Sequence, residues 1–268
     1  MRDKALFFVL WLIFSAICEW LASLIGPHFY FYVASVQAQE GQNAAAFILY
    51  MAVPIFVFVV MMLLFALFRF RARDDSIQPA KSQIKINKAY VGTWLGLSLV
   101  FNLFLFVHPT ASAAQAYFNE SMAYNKSPKT LIVDVVARQW EWRFSYPQYG
   151  LTQTVDANGN DFLELPVNTP VKFVLNSYDY NHYYDPQIDV IHSFWIPAFG
   201  MKMDVIPGET RTEYIEPTKI SSTAQNQMLR VQCAEVCGPG HPYMEANMAV
   251  VSPANFAKWV AQQKKLEA

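Results

Sequence analysis

Cys233-Ala234-Glu235-Val236-Cys237-Gly238-Pro239-Gly240-His241-Pro242-Tyr243-Met244 packs two thiols, an imidazole and a thioether into one short stretch. Gly238, Pro239, Gly240 and Pro242 forbid a regular helix there, so the donors sit on a loop that folds back on itself and aims them at one centre. Thiolate and thioether donors with imidazole suit copper, and a weak Met ligand beside Cys and His is typical of electron-transfer copper sites. A single cysteine would point to a mononuclear centre; the second supplies a sulfur able to bridge two metals. A second imidazole is then required, and His192, in Asp189-Val190-Ile191-His192-Ser193-Phe194-Trp195-Ile196-Pro197, stands at an expected strand end upstream. Two plainer readings of the thiols stay open, a disulfide in an oxidising compartment and a tetrahedral zinc completed by two histidines. Neither uses Met244.

The sequence around the loop is β-rich. From about Ser127 onward, short runs such as Thr130 to Ala137, Gln139 to Phe144, Val171 to Asn176, Arg211 to Ile215, Leu229 to Cys233 and Ala246 to Val251 alternate with turn chemistry, the pattern of a sandwich or barrel. Asp156-Ala157-Asn158-Gly159 is a hairpin-turn signal, and Pro166, Pro170, Pro197 and Pro207 punctuate strand ends. Ser252-Pro253 reads as an N-cap followed by proline at the first helical position. It opens a terminal helix over 253–268 with Phe256, Trp259 and Val260 on one face.

The N-terminal part is a different material. Of 268 residues 54% are hydrophobic and only 15% charged, against roughly 25% charged in an ordinary soluble domain, and the apolar excess lies before residue 109. Three stretches, 5–25, 44–68 and 89–107, are each about 20 residues or more, enough to cross a hydrocarbon core of about 30 Å as helices. Pro54 inside the second is tolerated where neighbouring groups satisfy the freed backbone. The loop after it holds Arg69, Arg71, Arg73, Lys81, Lys85 and Lys88, whereas 26–43 and 109–125 hold no Lys or Arg. The positive-inside rule puts that basic loop in the cytoplasm and everything after Val107 on the far side. The expected organisation is therefore a transmembrane region over 1–108, a linker over 109–127 along the membrane surface, a β domain over 128–252 and the terminal helix. The first stretch also admits a reading as a secretory signal ending at Val36-Gln37-Ala38. Cys18 is not a lipoprotein signal, because Ile17 stands where a small residue is wanted. Glu19, ionisable inside an apolar stretch, is read as reaching the interface.

A net charge of −1 with one short basic loop excludes nucleic acid as the main partner. The low charge excludes disorder, and three cysteines are too few for a disulfide scaffold.

The paired motifs resemble subunit II of the haem-copper oxidases. The loop Cys233 to Met244 is similar to that family's CuA loop, and Val190 to Pro197, followed by Gly200-Met201-Lys202-Met203-Asp204 and Pro207-Gly208, is similar to its upstream ligand segment. The resemblance implies a membrane-anchored Greek-key cupredoxin barrel holding a binuclear copper centre. It implies that Cys233 and Cys237 bridge both coppers, that His192 and His241 each bind one, that Met244 is a weak ligand and that Glu235 lends its backbone carbonyl. The Glu235 carboxylate would reach a magnesium ion shared with subunit I. Gln139-Trp140-Glu141-Trp142 matches the family's aromatic motif, whose first tryptophan takes the electron from cytochrome c; that role passes to Trp140, against the plainer reading of a cross-strand aromatic pair. Met201, Met203 and Met248 are read as packing, and His28, His108 and His182 as surface or interfacial.

The implied partners are subunit I, other membrane subunits and cytochrome c or another extracytoplasmic donor, and the implied place is the inner membrane. The chain departs from the family in its extra first helix, in the absence of a carboxylate from Lys88-Ala89-Tyr90-Val91-Gly92-Thr93-Trp94, and in an insertion from Tyr178 to Pro186. Few acids surround Trp140, which widens the choice of donor beyond a strongly basic cytochrome c to a less basic cytochrome, a bound haem protein or quinol. The subunit of a nitric oxide reductase of the same superfamily is the nearest rival; a nitrous oxide reductase domain and a copper-delivery protein are further ones.

Overall fold

The computed structural model describes residues 2–28, 32–69, 87–177 and 189–267. The Tyr178–Pro186 insertion, His182 and the basic residues Arg71, Arg73, Lys81 and Lys85 lie outside them. The chain divides into two units, Met1–Phe29 with Gln42–Gln115, and Tyr30–Gly41 with Ala116–Ala268.

The first unit is helical. Helix α1 (Arg2–Ile25) ends in a short turn at Gly26–His28, helix α2 covers Val36–Arg69 and helix α3 covers Lys88–Leu105. Three helical stretches are long and apolar enough to cross a membrane, and most of their surface is open to surroundings other than this chain. Helices α1 and α2 meet through rings set edge to face, Phe7 on Phe58 and Phe65 at 5.5 Å each. The Trp11 indole donates to the Pro54 carbonyl at 2.9 Å, in the region where proline interrupts the helical ladder, and Arg69 pairs with Asp3 at 3.1 Å. After α3 the helix breaks at His108, whose extended backbone (φ −141°, ψ 123°) is what a residue before proline prefers.

Two expectations are corrected here. The stretch read as a linker over 109–127 is largely helix α4 (Ser112–Lys126). Its sequence is polar, so hydropathy does not mark it, but Tyr117 donates to Glu213 at 2.8 Å and Tyr124 to Glu216 at 2.9 Å. Helix α2 starts eight residues before the apolar run expected at 44, at Val36. Gln37, Gln39, Glu40 and Gln42 keep that start polar, yet the Ser35 hydroxyl caps it by accepting from the Ala38 N–H at 2.9 Å, the ordinary N-cap bond. The residues proposed as a cleavage site are thus the first turn of a helix, with Ala38 only 1% exposed.

The second unit is the β domain. Strands β1 (Leu131–Arg138), β2 (Glu141–Ser145), β4 (Val171–Ser177) and β7 (Arg211–Ile215) form one sheet in the order β2-β1-β4-β7. Strands β3 (Phe162–Pro166), β10 (Glu245–Val251), β9 (Arg230–Cys233), β5 (His192–Ile196) and β6 (Met201–Val205) form the other in that order, with β8 (Ser221–Ser222) on β10. The parallel pairs β1·β4 and β3·β10 reflect a chain that crosses repeatedly from sheet to sheet. Inward residues alternate along each strand: Leu131, Val133, Val135, Phe173, Leu175, Phe194, Val231 and Met248 are buried between the sheets. Helix α5 (Pro253–Leu266) begins as expected, with Ser252 accepting from the Asn255 N–H, and buries Phe256 and Trp259 against Tyr146.

The segment between α1 and α2 belongs to this domain. The Ala34 N–H donates to the Ala198 carbonyl and its own carbonyl accepts from Thr218, both at 2.8 Å, while the Val36 N–H reaches the Glu216 carbonyl at 3.1 Å. The Ser35 hydroxyl also donates to the Phe199 carbonyl at 2.8 Å.

Candidate metal centre

Strand β9 ends on Cys233 and β10 begins just after Met244, so the loop between them is a hairpin, closed where the Cys233 N–H donates to the Met244 carbonyl at 3.1 Å. Gly238, at φ +114°, supplies a backbone conformation open in practice only to glycine. The loop then tightens into a short turn at His241–Tyr243, with the His241 N–H on the Gly238 carbonyl and the Tyr243 N–H on the Gly240 carbonyl, each at 3.0 Å. Strand β5 pairs with β9 through Phe194 and Cys233 and opens on His192, which carries that imidazole to the loop.

The sulfurs of Cys233 and Cys237 stand 3.8 Å apart. That is far beyond the ~2.05 Å of a disulfide, and both thiols are free. Cys233 has the His192 Nδ1 at 3.7 Å and Cys237 has the His241 Nδ1 at 3.6 Å. The Met244 sulfur lies 3.8 Å from that of Cys237, and the Glu235 carbonyl 3.2 Å from that of Cys233. All six residues of the expected donor set are therefore brought to one place. His192, Cys233, Cys237 and Met244 are buried, and Glu235 is exposed.

Burial, and after it the charge of His241, holds the His192 imidazole down at about 4, so its lone pair is free at neutral pH. Burial pushes the Cys237 thiol up to about 12, with the charge of Cys233 adding to it. Two thiolates this close repel unless a cation lies between them. The cluster of His192, Cys233 and Cys237 is a soft, sulfur-rich donor set of the kind copper takes.

The two tryptophans of the aromatic motif separate. Trp142 is 1% exposed, sets its ring against His192 and Phe194 and donates to the Met244 carbonyl at 3.3 Å. Trp140 is 40% exposed and donates to the Cys237 carbonyl at 3.0 Å, and the Gln139 side chain donates to the same oxygen at 2.7 Å. Sequence reasoning missed Gln139, whose partner is a backbone atom, and the contact of Trp142 with the ligand loop; their place in one short motif with Trp140 was the available signal. Met201 and Met248 lie in the core, and His108 packs on Phe47 at 4.8 Å.

Residues 131–251 match the family described as cytochrome c oxidase subunit II, periplasmic domain. The match takes in the whole β domain, from its first strand to the last. The chain is 28% identical to cytochrome c oxidase subunit 2 of Alkalihalophilus pseudofirmus over 208 residues, which is 78% of this chain and 53% of the relative. It is 26% identical to the probable cytochrome c oxidase subunit 2 of Rickettsia bellii over 251 residues, 88% of this chain and 83% of that protein. Among solved structures, the periplasmic domain of subunit II of cytochrome oxidase from Bradyrhizobium japonicum is similar, at 28% identity, 52% of this chain, 96% of that chain and a TM-score of 0.43. The chain thus spans about half the length of its Alkalihalophilus relative.

Proposed function

We propose that this chain is a subunit II that receives electrons for a haem-copper terminal oxidase, from an extracytoplasmic donor such as cytochrome c, for delivery to haem in subunit I and reduction of O2 to water there. One observation carries the reading: two free sulfurs 3.8 Å apart, each with an imidazole nitrogen of its own. In this reading Cys233, Cys237, His192 and His241 would be the main ligands of a binuclear CuA centre, with Met244 and the Glu235 carbonyl as weak outer donors. Bound there, the copper pair supplies a one-electron store.

The chain's own work is to hold the donors still and dry. Cys237 and Met244 are almost wholly buried, and Trp142 closes the loop from the core side, so the site rearranges little when its charge changes. The side chain of Glu235, which is exposed, would take a magnesium ion shared with subunit I. Trp140, half open to solvent on the loop, is the group that meets the donor. The membrane placement, with the β domain extracytoplasmic, is supported by the apolar helices, by the match to a periplasmic domain and by Arg69 and Lys88 at the helix ends that face each other in sequence.

Metal analysis with electron paramagnetic resonance on the purified full-length chain tests the reading. Two coppers per chain with a mixed-valence signal support it; zinc, or copper bound singly, overturns it.

A further inference from the structure

Gly240 faces the Trp140 ring at a separation that leaves no room for a side chain. A Cβ on Gly240 would fall 2.3 Å from Cδ2, 2.5 Å from Cγ and 2.6 Å from Cε3 of Trp140. Yet the backbone of Gly240, at φ −85° and ψ −1°, is that of the third residue of a type I turn, which most residues can occupy. The ring therefore demands this glycine, and the turn does not. Gly238 is glycine for another reason, its φ of +114°. On its other edge the ring is tied down by hydrogen bonding: the Trp140 indole and the Gln139 amide both donate to the Cys237 carbonyl, whose two lone pairs accept both.

We propose that Gly240 and Gln139 are positioning residues that seat the Trp140 ring directly on the backbone between Cys237 and His241. Gly240 is the flat seat and Gln139 the brace. This rests on the reading of Trp140 as the electron-receiving group and adds what holds it in place. Electron transfer weakens steeply with each added gap, and here the ring touches the ligand loop through one hydrogen bond and one van der Waals face. A methyl on Gly240 must push the ring away by more than about 1 Å to restore an ordinary carbon contact of about 3.5–4.0 Å.

The test uses the full-length chain in detergent, as Gly240→Ala, Gln139→Leu, Trp140→Ala and the Trp140→Ala/Gly240→Ala double variant. Two readouts are taken: the indole N–H resonance of Trp140 and its proton exchange in the metal-free chain, and copper reduction by reduced cytochrome c in the loaded chain. Gly240→Ala is expected to shift the resonance and speed its exchange, and to slow copper reduction on the order of tenfold to a hundredfold with copper content retained. Gln139→Leu should do the same to a smaller degree. In the Trp140→Ala background the Gly240→Ala change should have no further effect, because the obstructing ring is gone. An unchanged resonance in Gly240→Ala overturns the proposal, as does a Gly240→Ala defect of equal size with and without Trp140. Should Gly240→Ala fail to fold, recovery of the fold in the double variant supports the seat, and its absence overturns it. If Trp140→Ala leaves copper reduction unchanged, the electron-receiving reading falls, while the resonance in Gly240→Ala and Gln139→Leu still decides whether the ring is seated as described.

Discussion

The indole of Trp142 meets the imidazole of His192 edge to face, with ring centroids 6.2 Å apart, and its N–H reaches past to the Met244 carbonyl. One buried ring thus touches a donor from β5 and the end of the loop between β9 and β10. Its removal leaves a cavity beside both. Trp142→Ala should cost about 3–5 kcal/mol of domain stability, read from thermal unfolding of the full-length chain. Trp142→Phe should cost on the order of 1 kcal/mol, mainly the hydrogen bond. If Trp142→Ala unfolds at the parent temperature, the ring is not a core element.

Cys237 has a sulfur neighbour on one side and the His241 imidazole and Met244 thioether on the others. Cys237→Ser keeps the shape but offers a hard oxygen where a sulfur stands, and the mixed-valence copper signal expected of the proposed centre should vanish. Trp140→Ala should leave copper bound and slow its reduction by cytochrome c. Retention of the signal in the serine variant would remove Cys237 from the donor set.

Glu164, on β3, is buried, and the loss of water around its carboxyl raises it from 4.5 to about 7. Between those values the folded chain holds a proton that the unfolded chain releases, so this group's contribution to stability declines as pH rises through the window and is fully unfavourable above it. Glu164→Gln should therefore flatten the fall in melting temperature between about pH 5 and 8. After allowance for the water that still reaches the carboxylate, the gain at the alkaline end is about 1 kcal/mol. Parallel pH curves for parent and variant would contradict the assignment.

Ser35 caps α2 and also donates to the Phe199 carbonyl. Ser35→Ala removes the cap and orphans a buried acceptor, an expected loss of about 2 kcal/mol. Gly200→Ala should be at least as damaging: its φ is +65°, and a Cβ there would lie 2.9 Å from the Ala38 Cα. Both are measured by unfolding of the full-length chain, and a neutral Gly200→Ala would show that the 34–38 segment is not fixed on the β domain.

The meeting of Cys233, Cys237, His192, His241 and Met244 was legible because thiols, imidazole and thioether stand close together on a stretch whose glycines and prolines announce a loop. The apolar helices were legible because the lipid core admits few polar groups. What escaped was settled by partners far away in sequence. The polar start of α2 depends on Ser35 and on the carbonyls of Ala198 and Glu216. Helix α4 is held by Glu213 and Glu216. Gln139 binds a backbone oxygen, which no residue type reveals, and Gly240 looks like a turn glycine until the ring above it is seen.

Ala34 and Ser35 have a consequence for biosynthesis. They leave the ribosome early, but the carbonyls and amide they bind, at Ala198, Phe199 and Thr218, are made only after α2 and α3. The β domain therefore cannot complete itself from consecutive residues and must wait, with one strip already made, for the rest to arrive. A chain truncated to begin at the first strand would present those backbone groups bare to water.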